Sequence, residues 1–355
     1  MATLPTNRDE AWRWSDLPAL QAAAGLQRVS VAPPPSLALG GARLVFVDGV
    51  FDAAQSEAGR LVVAPLTLAT DHALGARATG TGWSLTLDAD QAESGVEIVH
   101  VSTGGENHLP ARIVLGEDAV ASIVETYVGT GWANRLTQVK LGRSARLQRA
   151  VRVLHDGGFV STRDEVSVGQ DASYAATVLG AGDMGVRFDA QIDIVGEQAF
   201  AEMGGALLTR GSLRQECAVA IRHVAAHGAS NQTWRAVAAD RSAASLAARV
   251  EVARDAQKTD GVQSLRGLLL ERTATINLKP ELEIFADDVK CAHGATVGEL
   301  DAKALFYLAS RGIAPGRARA LLTRAFVADA IDRIGDEAVR AAFAADADAW
   351  LEAAL

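Results

Sequence analysis

The sequence predicts a mainly β protein whose core is a right-handed parallel β-helix, with helix near the N-terminus and a helical C-terminal subdomain. A five-residue phrase, [Leu/Val]-Gly-x-x-Ala, occurs at Leu115–Ala119, Leu141–Ala145, Val168–Ala172 and Val195–Ala199, so its glycines lie 26, 27 and 27 residues apart. Short strands at a fixed period, each opened by a glycine turn, are typical of a solenoid whose coils stack on their neighbours. An antiparallel sandwich would instead show hairpin turns about 8–12 residues apart and no fixed phrase.

Residues 1–79 are expected to form an N-terminal segment of mixed structure that contains helix. Trp12 and Trp14 lie near its start and are predicted to dock this segment on the rest of the protein through their large apolar rings. Pro33–Pro35 would interrupt any helix, and a short helix is predicted over 67–78.

The predicted β-helix core extends over residues 80–298. Ala92 lies 27 residues before Ala119, so the repeat is expected to begin one coil before the first complete phrase. After residue 200 the phrase loosens, but His227–Ala229 and Val252–Ala256 are predicted as further turns. Alternation of apolar and polar residues predicts strands between the turns, such as Val96–Val101, Ala121–Val128, Leu147–Leu154 and Val186–Val195.

The tail, residues 299–355, is predicted to hold three helices that form a C-terminal helical subdomain. Asp301 is well placed to cap the first helix, Gly312 to end it, and Pro315 to open the second. A third helix is expected from Gly335–Asp336 to the last residue. Apolar residues of the second helix form two adjoining rows, Leu322, Phe326 and Ala330 beside Val327, Ile331 and Ile334. This stripe has two possible roles, to cap the open end of the solenoid or to bind a partner.

Composition excludes several classes of function. With 34 basic and 43 acidic residues the net charge is −9, which argues against nucleic-acid binding. No apolar run approaches the roughly 18 residues of a membrane span, and the N-terminus lacks the apolar core of a signal peptide, so a cytoplasmic protein is expected. Two cysteines cannot make a disulfide framework. The absence of a phosphate-binding loop and of a dinucleotide fingerprint assigns any nucleotide chemistry to a partner.

Cys291 and His293 are the candidate metal ligands. On a strand, residues i and i+2 face the same side, with Cα atoms roughly 6.6 Å apart. Sulfur and imidazole together suit iron or zinc, but two ligands make half a site, so further donors must come from elsewhere in this chain or from another chain. The alternative is a buried, inert cysteine.

The region around these two residues resembles the C-terminal part of the SufB/SufD family, scaffold subunits of the machinery that assembles iron–sulfur clusters. A weaker resemblance includes Trp12, Trp14 and Leu17 near the N-terminus, and His227–Gln232. The residues that match the family pattern are Lys279–Pro280, Asp287–Cys291, His293–Thr296, Gly298 and Arg311–Ile313.

The resemblance implies a non-enzymatic scaffold that pairs with a SufB-like subunit and binds a SufC-like ABC ATPase. Cys291 and His293 would then lie at the subunit junction and share a transient iron–sulfur cluster or iron with the partner, with none held tightly by the isolated chain. Because SufB chains are typically longer and richer in cysteine, the SufD branch is favoured over a SufB-like scaffold. The residues implied in ATPase docking are Leu305, Phe306, Tyr307, Arg311, Gly312, Leu321, Leu322 and Phe326. Alone, the chain is expected to form a homodimer through an unpaired strand edge.

Two other functions compete with the scaffold. Many β-helices cleave polysaccharides, but the adjacent carboxylates Asp164 and Glu165 would face opposite sides of a strand and make a poor acid/base pair. A purely structural protein would lose nothing when Cys291 and His293 are replaced.

Cys217, His223 and His227 are predicted to have structural roles. Alternation places Cys217 with Val219 and Ile221 in the core. His223 and His227 lie in a region of strand and turn, where their spacing of four carries no helical meaning, so hydrogen bonding is expected of them. No partner spacing is evident for His72, His100, His108 and His155.

Overall fold

The computed structural model describes residues 4–354, which form a parallel β-solenoid of about eight turns, as predicted. The first strands are β1 (Arg43–Val47), β2 (Val50–Phe51), β3 (Val62–Leu66), β4 (Gly80–Leu87), β5 (Ala92–Leu115) and β6 (Val120–Leu141). They are followed by β7 (Arg146–His155), β8 (Phe159–Val168), β9 (Ser173–Gly180), β10 (Gly185–Ile194), β11 (Phe200–Thr209) and β12 (Arg214–His223). The last strands are β13 (Ala229–Ala238), β14 (Ala243–Val252), β15 (Asp260–Leu269), β16 (Thr275–Ile284) and β17 (Lys290–Glu299). The helices are α1 (Leu17–Ala24), α2 (Ala302–Ser310), α3 (Pro315–Ile331) and α4 (Glu337–Ala354).

Two parallel sheets face each other across the core. Sheet 1 contains β1, the first half of β5, the first half of β6, and then β7, β9, β11, β13, β15 and β17. Sheet 2 contains β4, the second halves of β5 and β6, and then β8, β10, β12, β14 and β16. Consecutive strands of one sheet are therefore about one coil apart in sequence.

The repeated phrase forms the turn that enters sheet 1. In each of these turns the residue before the alanine of the phrase has positive φ. Later turns that lack the phrase keep a positive-φ residue, at His227 (φ 59°) and Lys258 (φ 62°). The backbone N–H of each such residue donates to a carbonyl of the next coil, for example Ser144 N to Gln170 O at 2.8 Å and Lys258 N to Asp288 O at 2.6 Å. The repeat after residue 200 has thus lengthened rather than ended.

The interior between the sheets is mainly apolar and contains a charged cluster. Arg149 of sheet 1 donates to Glu125 of the preceding coil and, at 2.7 Å, to Asp164 of sheet 2. Burial alone would lower the pKa of Arg149, yet the two carboxylates hold it well above its ordinary value. Arg135 donates at 3.2 Å to His100, whose other ring nitrogen lies 3.3 Å from Glu125. All five side chains are almost fully buried.

The N-terminal segment lies against the outer face of sheet 2. Trp12 is buried, and the Arg187 guanidinium lies 3.9 Å from its ring centroid, so the predicted docking by tryptophan is confirmed at this position. Trp14 is only half-buried. The helix predicted over 67–78 is reduced to one 3₁₀ turn, Gly75–Arg77.

The three predicted C-terminal helices are present. Asp301 caps α2 by accepting from Lys303 N at 2.8 Å, and Gly312 with φ 81° follows the end of that helix. Pro315 is the first residue of α3. The predicted end of the third helix at Leu355 lies outside the described residues.

These helices lie on the flank of the solenoid, so the structure does not support capping of the open end, one of the two roles left open for the apolar stripe. The apolar residues of α3 and α4, among them Val327 and Phe343, pack on the outer face of sheet 1 against Val124, Leu179 and Leu208. Outward positions of sheet 1 are aliphatic here, and burying them on the flank removes apolar surface that water would otherwise contact. Among residues 4–354, no helix combines the length and the apolar character needed to cross a membrane.

Candidate functional site

Cys291 and His293 lie on β17, the last strand of sheet 1. Cys291 is in register with Gly261 of β15 and His293 with Gln263, both of which are buried and face the interior. Both candidate ligands therefore point into the space between the sheets, as the i, i+2 spacing predicted. Among residues 4–354 no further coil covers this space, so it forms the open end of the solenoid.

The two residues differ in environment. Cys291 is partly buried and packs against the apolar group of Val250, Val252 and Ala286. Burial raises the pKa of its thiol, so the thiol is protonated in the isolated chain at neutral pH. His293 is exposed. The arrangement joins a shielded sulfur donor to an accessible nitrogen donor at the rim of the core.

The described part of the chain does not by itself form a complete metal site of conventional ligands. Within residues 4–354, no group of three or more histidine, cysteine, aspartate or glutamate side chains is arranged to hold a metal ion. Cys217, the other cysteine, is buried in the core as predicted, and burial raises the pKa of its thiol well above its ordinary value, so the thiol stays protonated. Whether Cys291 and His293 bind iron stays a prediction.

The last strands of both sheets have a free edge. In the described chain β17 pairs only with β15, and β16 only with β14. Lys290 N donates to Thr259 O, so even-numbered residues of β17 bond to β15, and the odd-numbered ones direct their N–H groups to the free edge. On β16 the odd-numbered residues bond to β14, because Thr275 N donates to Ser242 O. The even-numbered residues of β16 therefore direct their N–H groups to the free edge. Pro280 therefore lies at a free-edge position, where its missing N–H costs no bond within the sheet.

A second exposed surface lies on α2 and the first half of α3. No residue of α2 is buried, and the side chains of Phe306 and Tyr307 are 76% and 57% exposed. Arg311 lies over the Tyr307 ring at 5.2 Å, and Leu321 is 39% exposed. Of the remaining predicted docking residues, Gly312 is exposed, and Leu305, Leu322 and Phe326 are half-buried. Contiguous exposed apolar side chains of this kind are typical of a protein-binding surface.

The structure separates Asp164 from Glu165, as alternation predicted. Asp164 is buried with Arg149, whereas Glu165 lies on the outer face and accepts from Gln138 at 2.9 Å. They form no acid/base pair.

The hydrogen bonding predicted for two histidines is seen at one of them. His223 lies 2.8 Å from the Ser230 hydroxyl, whereas His227 is exposed at a positive-φ turn position. His72 lies 3.0 Å from Asp189.

Two interior features were missed in the sequence. One is the charged cluster around Arg149, and the other is a column of glutamines, Gln232 and Gln263, that leads to His293. Both glutamines face the interior and have a side-chain oxygen with no partner among the described residues. A signal was available for the column, because 232, 263 and 293 are separated by one coil length each.

Comparison with known proteins gives consistent matches. The family model described as SUF system FeS cluster assembly, SufBD core domain, matches residues 99–326. The iron–sulfur cluster assembly protein SufD of Escherichia coli is 27% identical over an alignment 371 positions long, which covers 95% of this chain and 87% of that protein. A SufBD family iron–sulfur cluster assembly protein of Synechocystis is 29% identical, covering 93% of this chain and 84% of the relative. SufD of Bacillus subtilis matches at 27% over 63% of this chain and 44% of its own length.

Proposed function

The chain belongs to the SufBD core family of the SUF iron–sulfur cluster assembly system, and from that premise we propose that it is a SufD-like scaffold subunit acting in the cytoplasm. In this proposal the chain is not an enzyme. It pairs with a SufB-like subunit, binds a SufC-like ABC ATPase, and contributes ligands to iron or to a nascent cluster that is cargo of the assembly.

The observation that carries the proposal is the position of Cys291 and His293 at a solenoid end with two free strand edges. Unpaired edges are templates for strand addition, and a second solenoid with a matching end would extend both sheets. Its residues would then face Cys291 and His293 across the junction and supply the missing ligands. A homodimer through the same edges is the proposed state when the partner is absent.

ATPase docking is assigned to the surface formed by α2 and the first half of α3. Its exposed residues Phe306, Tyr307 and Leu321 project beyond the part of α3 that packs on sheet 1. A rigid attachment of α3 and α4 to the solenoid would transmit a movement of the bound ATPase to the core. The bidentate contact of Arg152 with Asp346, at 2.6 and 2.9 Å, is one such attachment.

The proposal is tested by anaerobic purification of the tagged full chain from its own cells, with identification of the bound subunits by mass. An ABC ATPase and a paralogous solenoid subunit are expected. Ala295→Pro, which removes an edge N–H of β17, should lose the solenoid partner, whereas Ala295→Ser keeps that N–H and should retain it.

The helical surface is tested in the same experiment. Phe306→Asp combined with Tyr307→Asp should lose the ATPase and keep the solenoid partner, and Val195→Asp, an exposed apolar residue on a solenoid turn, is the matched control. A wild-type chain that purifies without either partner would refute the scaffold proposal. The carboxylates considered for the carbohydrate-active alternative, Asp164 and Glu165, lie on opposite faces of β8 and do not support it.

A further inference from the structure

A polar groove lies between the C-terminal part of α3 and the outer face of sheet 1, where β13 and β15 run side by side. Its volume is about 480 Å³, within the range of sites that bind small molecules. The lining includes the hydroxyl-bearing side chains of Thr233 and Ser264 and three arginines, Arg235, Arg266 and Arg333. We call it the α3 groove.

Two of its arginines occupy directly opposite positions on neighbouring strands. Arg235 of β13 is in register with Arg266 of β15, and adjacent strands are roughly 4.8 Å apart. Like charges in opposite cross-strand positions are destabilising. Burial lowers the pKa of Arg235, and the charges of Arg266 and Arg333 lower it further against the opposing effect of Asp329. The groove therefore concentrates positive charge beside a guanidinium that is only 3% exposed.

Arg266 is the arginine of the groove that lacks a counterion. Asp329 pairs with the arginine opposite, and Glu202 pairs with Arg333. Among residues 4–354, the exposed side chain of Arg266 has no ion pair and no hydrogen bond. Asp260, the other carboxylate of the lining, lies six residues earlier on the same strand, roughly 20 Å away along it. At that separation between solvent-exposed groups the attraction is largely screened.

Hydrogen-bond donors are also left over in the α3 groove. A guanidinium carries five N–H groups, and those of Arg266 are all free within the described part of the chain. The Ser264 hydroxyl accepts from Arg235 Nη1 at 3.3 Å, so its own proton remains available to a further acceptor. Free donors beside unbalanced positive charge are the chemistry that recognises an anion with several oxygen atoms.

We propose that the α3 groove binds an oxyanion of the phosphate class between Arg235 and Arg266. Its oxygens accept hydrogen bonds from the Arg266 guanidinium and from the Ser264 hydroxyl, and its charge relieves the repulsion between the two arginines. The volume of the groove leaves room beside the phosphate group for a small organic group, so free phosphate and a phosphate ester share this recognition. The site is independent of the proposed scaffold function.

The test is calorimetric titration of the isolated full chain with inorganic phosphate at low ionic strength, repeated with glycerol 3-phosphate. One phosphate should bind per chain, and tighter binding of the ester would identify an organic phosphate as the better ligand. Arg266→Gln should weaken binding about tenfold or more through loss of charge-assisted hydrogen bonds, and Ser264→Ala should weaken it less. Arg254→Gln is the matched control, because Arg254 is an exposed arginine on a solenoid turn whose side chain has no ion pair among the described residues.

Urea unfolding gives a second readout that does not depend on the heat of binding. Without phosphate, Arg266→Gln should be at least as stable as the wild type, because the substitution removes the repulsion with Arg235. Phosphate should raise the unfolding midpoint of the wild type and of Arg254→Gln relative to chloride at matched ionic strength. It should leave the midpoint of Arg266→Gln nearly unchanged.

Equal weakening of phosphate binding by Arg266→Gln and Arg254→Gln would overturn the proposal, because binding would then reflect overall charge. A wild-type chain that binds neither phosphate nor the ester at millimolar concentration would also overturn it, and would leave the arginine pair to an acidic side chain of a protein partner.

Discussion

At the scale of single residues, Arg149 is the central cation of the core. It lies between Glu125 and Asp164, and all three side chains are shielded from water. Burial alone would raise the pKa of Glu125, but Arg149 and His100 lower it, so this carboxylate is charged in the folded state. Removing the guanidinium would leave buried negative charge without a counterion.

Arg149→Met is therefore expected to lower the free energy of unfolding by about 3–5 kcal/mol. Urea denaturation followed by circular dichroism measures this change. Arg272→Gln, which removes an exposed contact to Glu299, is the control and should have little effect. A loss below about 1 kcal/mol in Arg149→Met would show that the cluster does not need its cation.

For single residues, the sequence could predict which face of a strand a side chain occupies but not which side chains it contacts. Alternation placed Cys217 inward, Asp164 and Glu165 on opposite faces, and Cys291 with His293 on one face. It could not predict the contact of Arg149 with Asp164, because those two residues lie on different sheets and meet only once the coils are stacked. The same is true of the pairing of Gln263 with His293, which depends on the register between β15 and β17.

At the scale of elements, the solenoid turns combine a short sequence phrase with a demanding backbone conformation. Ser144 has φ 56°, and its N–H bonds to the next coil. For a β-branched residue this conformation is a strained outlier, whereas glycine adopts it freely.

Ser144→Val is expected to destabilise the protein by about 1–2 kcal/mol, the order of the cost of left-handed backbone for an L-residue. Ser144→Gly should be neutral or stabilising. Thermal or urea unfolding measures both, with Arg146→Val on the adjacent exposed strand position as the control. Equal stability of Ser144→Val and Arg146→Val would show that the positive φ imposes no constraint.

Strands and helices that are specified by nearby residues were predicted well from the sequence. The strands of the repeat follow from alternation between fixed turns, and α2 and α3 follow from Asp301 and Pro315. The place where the helices pack was not predictable in the same way. An apolar stripe indicates that one face of a helix is buried. Whether that face packs on the open end or on the flank depends on outward aliphatic residues contributed by many separate coils, such as Val124 and Leu208.

At the scale of the whole molecule, the protein should lose stability in mild acid because it buries neutral histidines. Burial and Arg135 lower the pKa of His100 to about 4 and that of His155 to about 3, and burial lowers the pKa of His223 to about 4. Below the ordinary histidine pKa of 6.5 the unfolded chain binds protons at these residues, while the folded chain does not. The stability that the folded protein has with these histidines neutral is therefore fully present above pH 6.5 and is lost as the pH falls toward 4.

Between pH 7 and pH 5 each such histidine should cost about 2 kcal/mol of unfolding free energy. Urea unfolding at several pH values gives the number of protons taken up on unfolding. His155→Gln should reduce that number by about one near pH 5.5, even if it also changes stability at neutral pH. An unchanged proton uptake would mean that His155 is protonated in the folded protein.

The open end of the solenoid should also determine the oligomeric state of the isolated chain. The free edges of β16 and β17 leave backbone donors and acceptors unpaired, and edge-to-edge association of two copies would satisfy them. Pro280 interrupts the donors of β16, so β17 offers the more continuous edge. We therefore expect sedimentation to show a concentration-dependent dimer for the wild type, a shift to monomer for Ala295→Pro, and no shift for Ala295→Ser. A dimer that survives Ala295→Pro would have to use another surface, and the exposed residues Phe306 and Tyr307 would then be the next to replace.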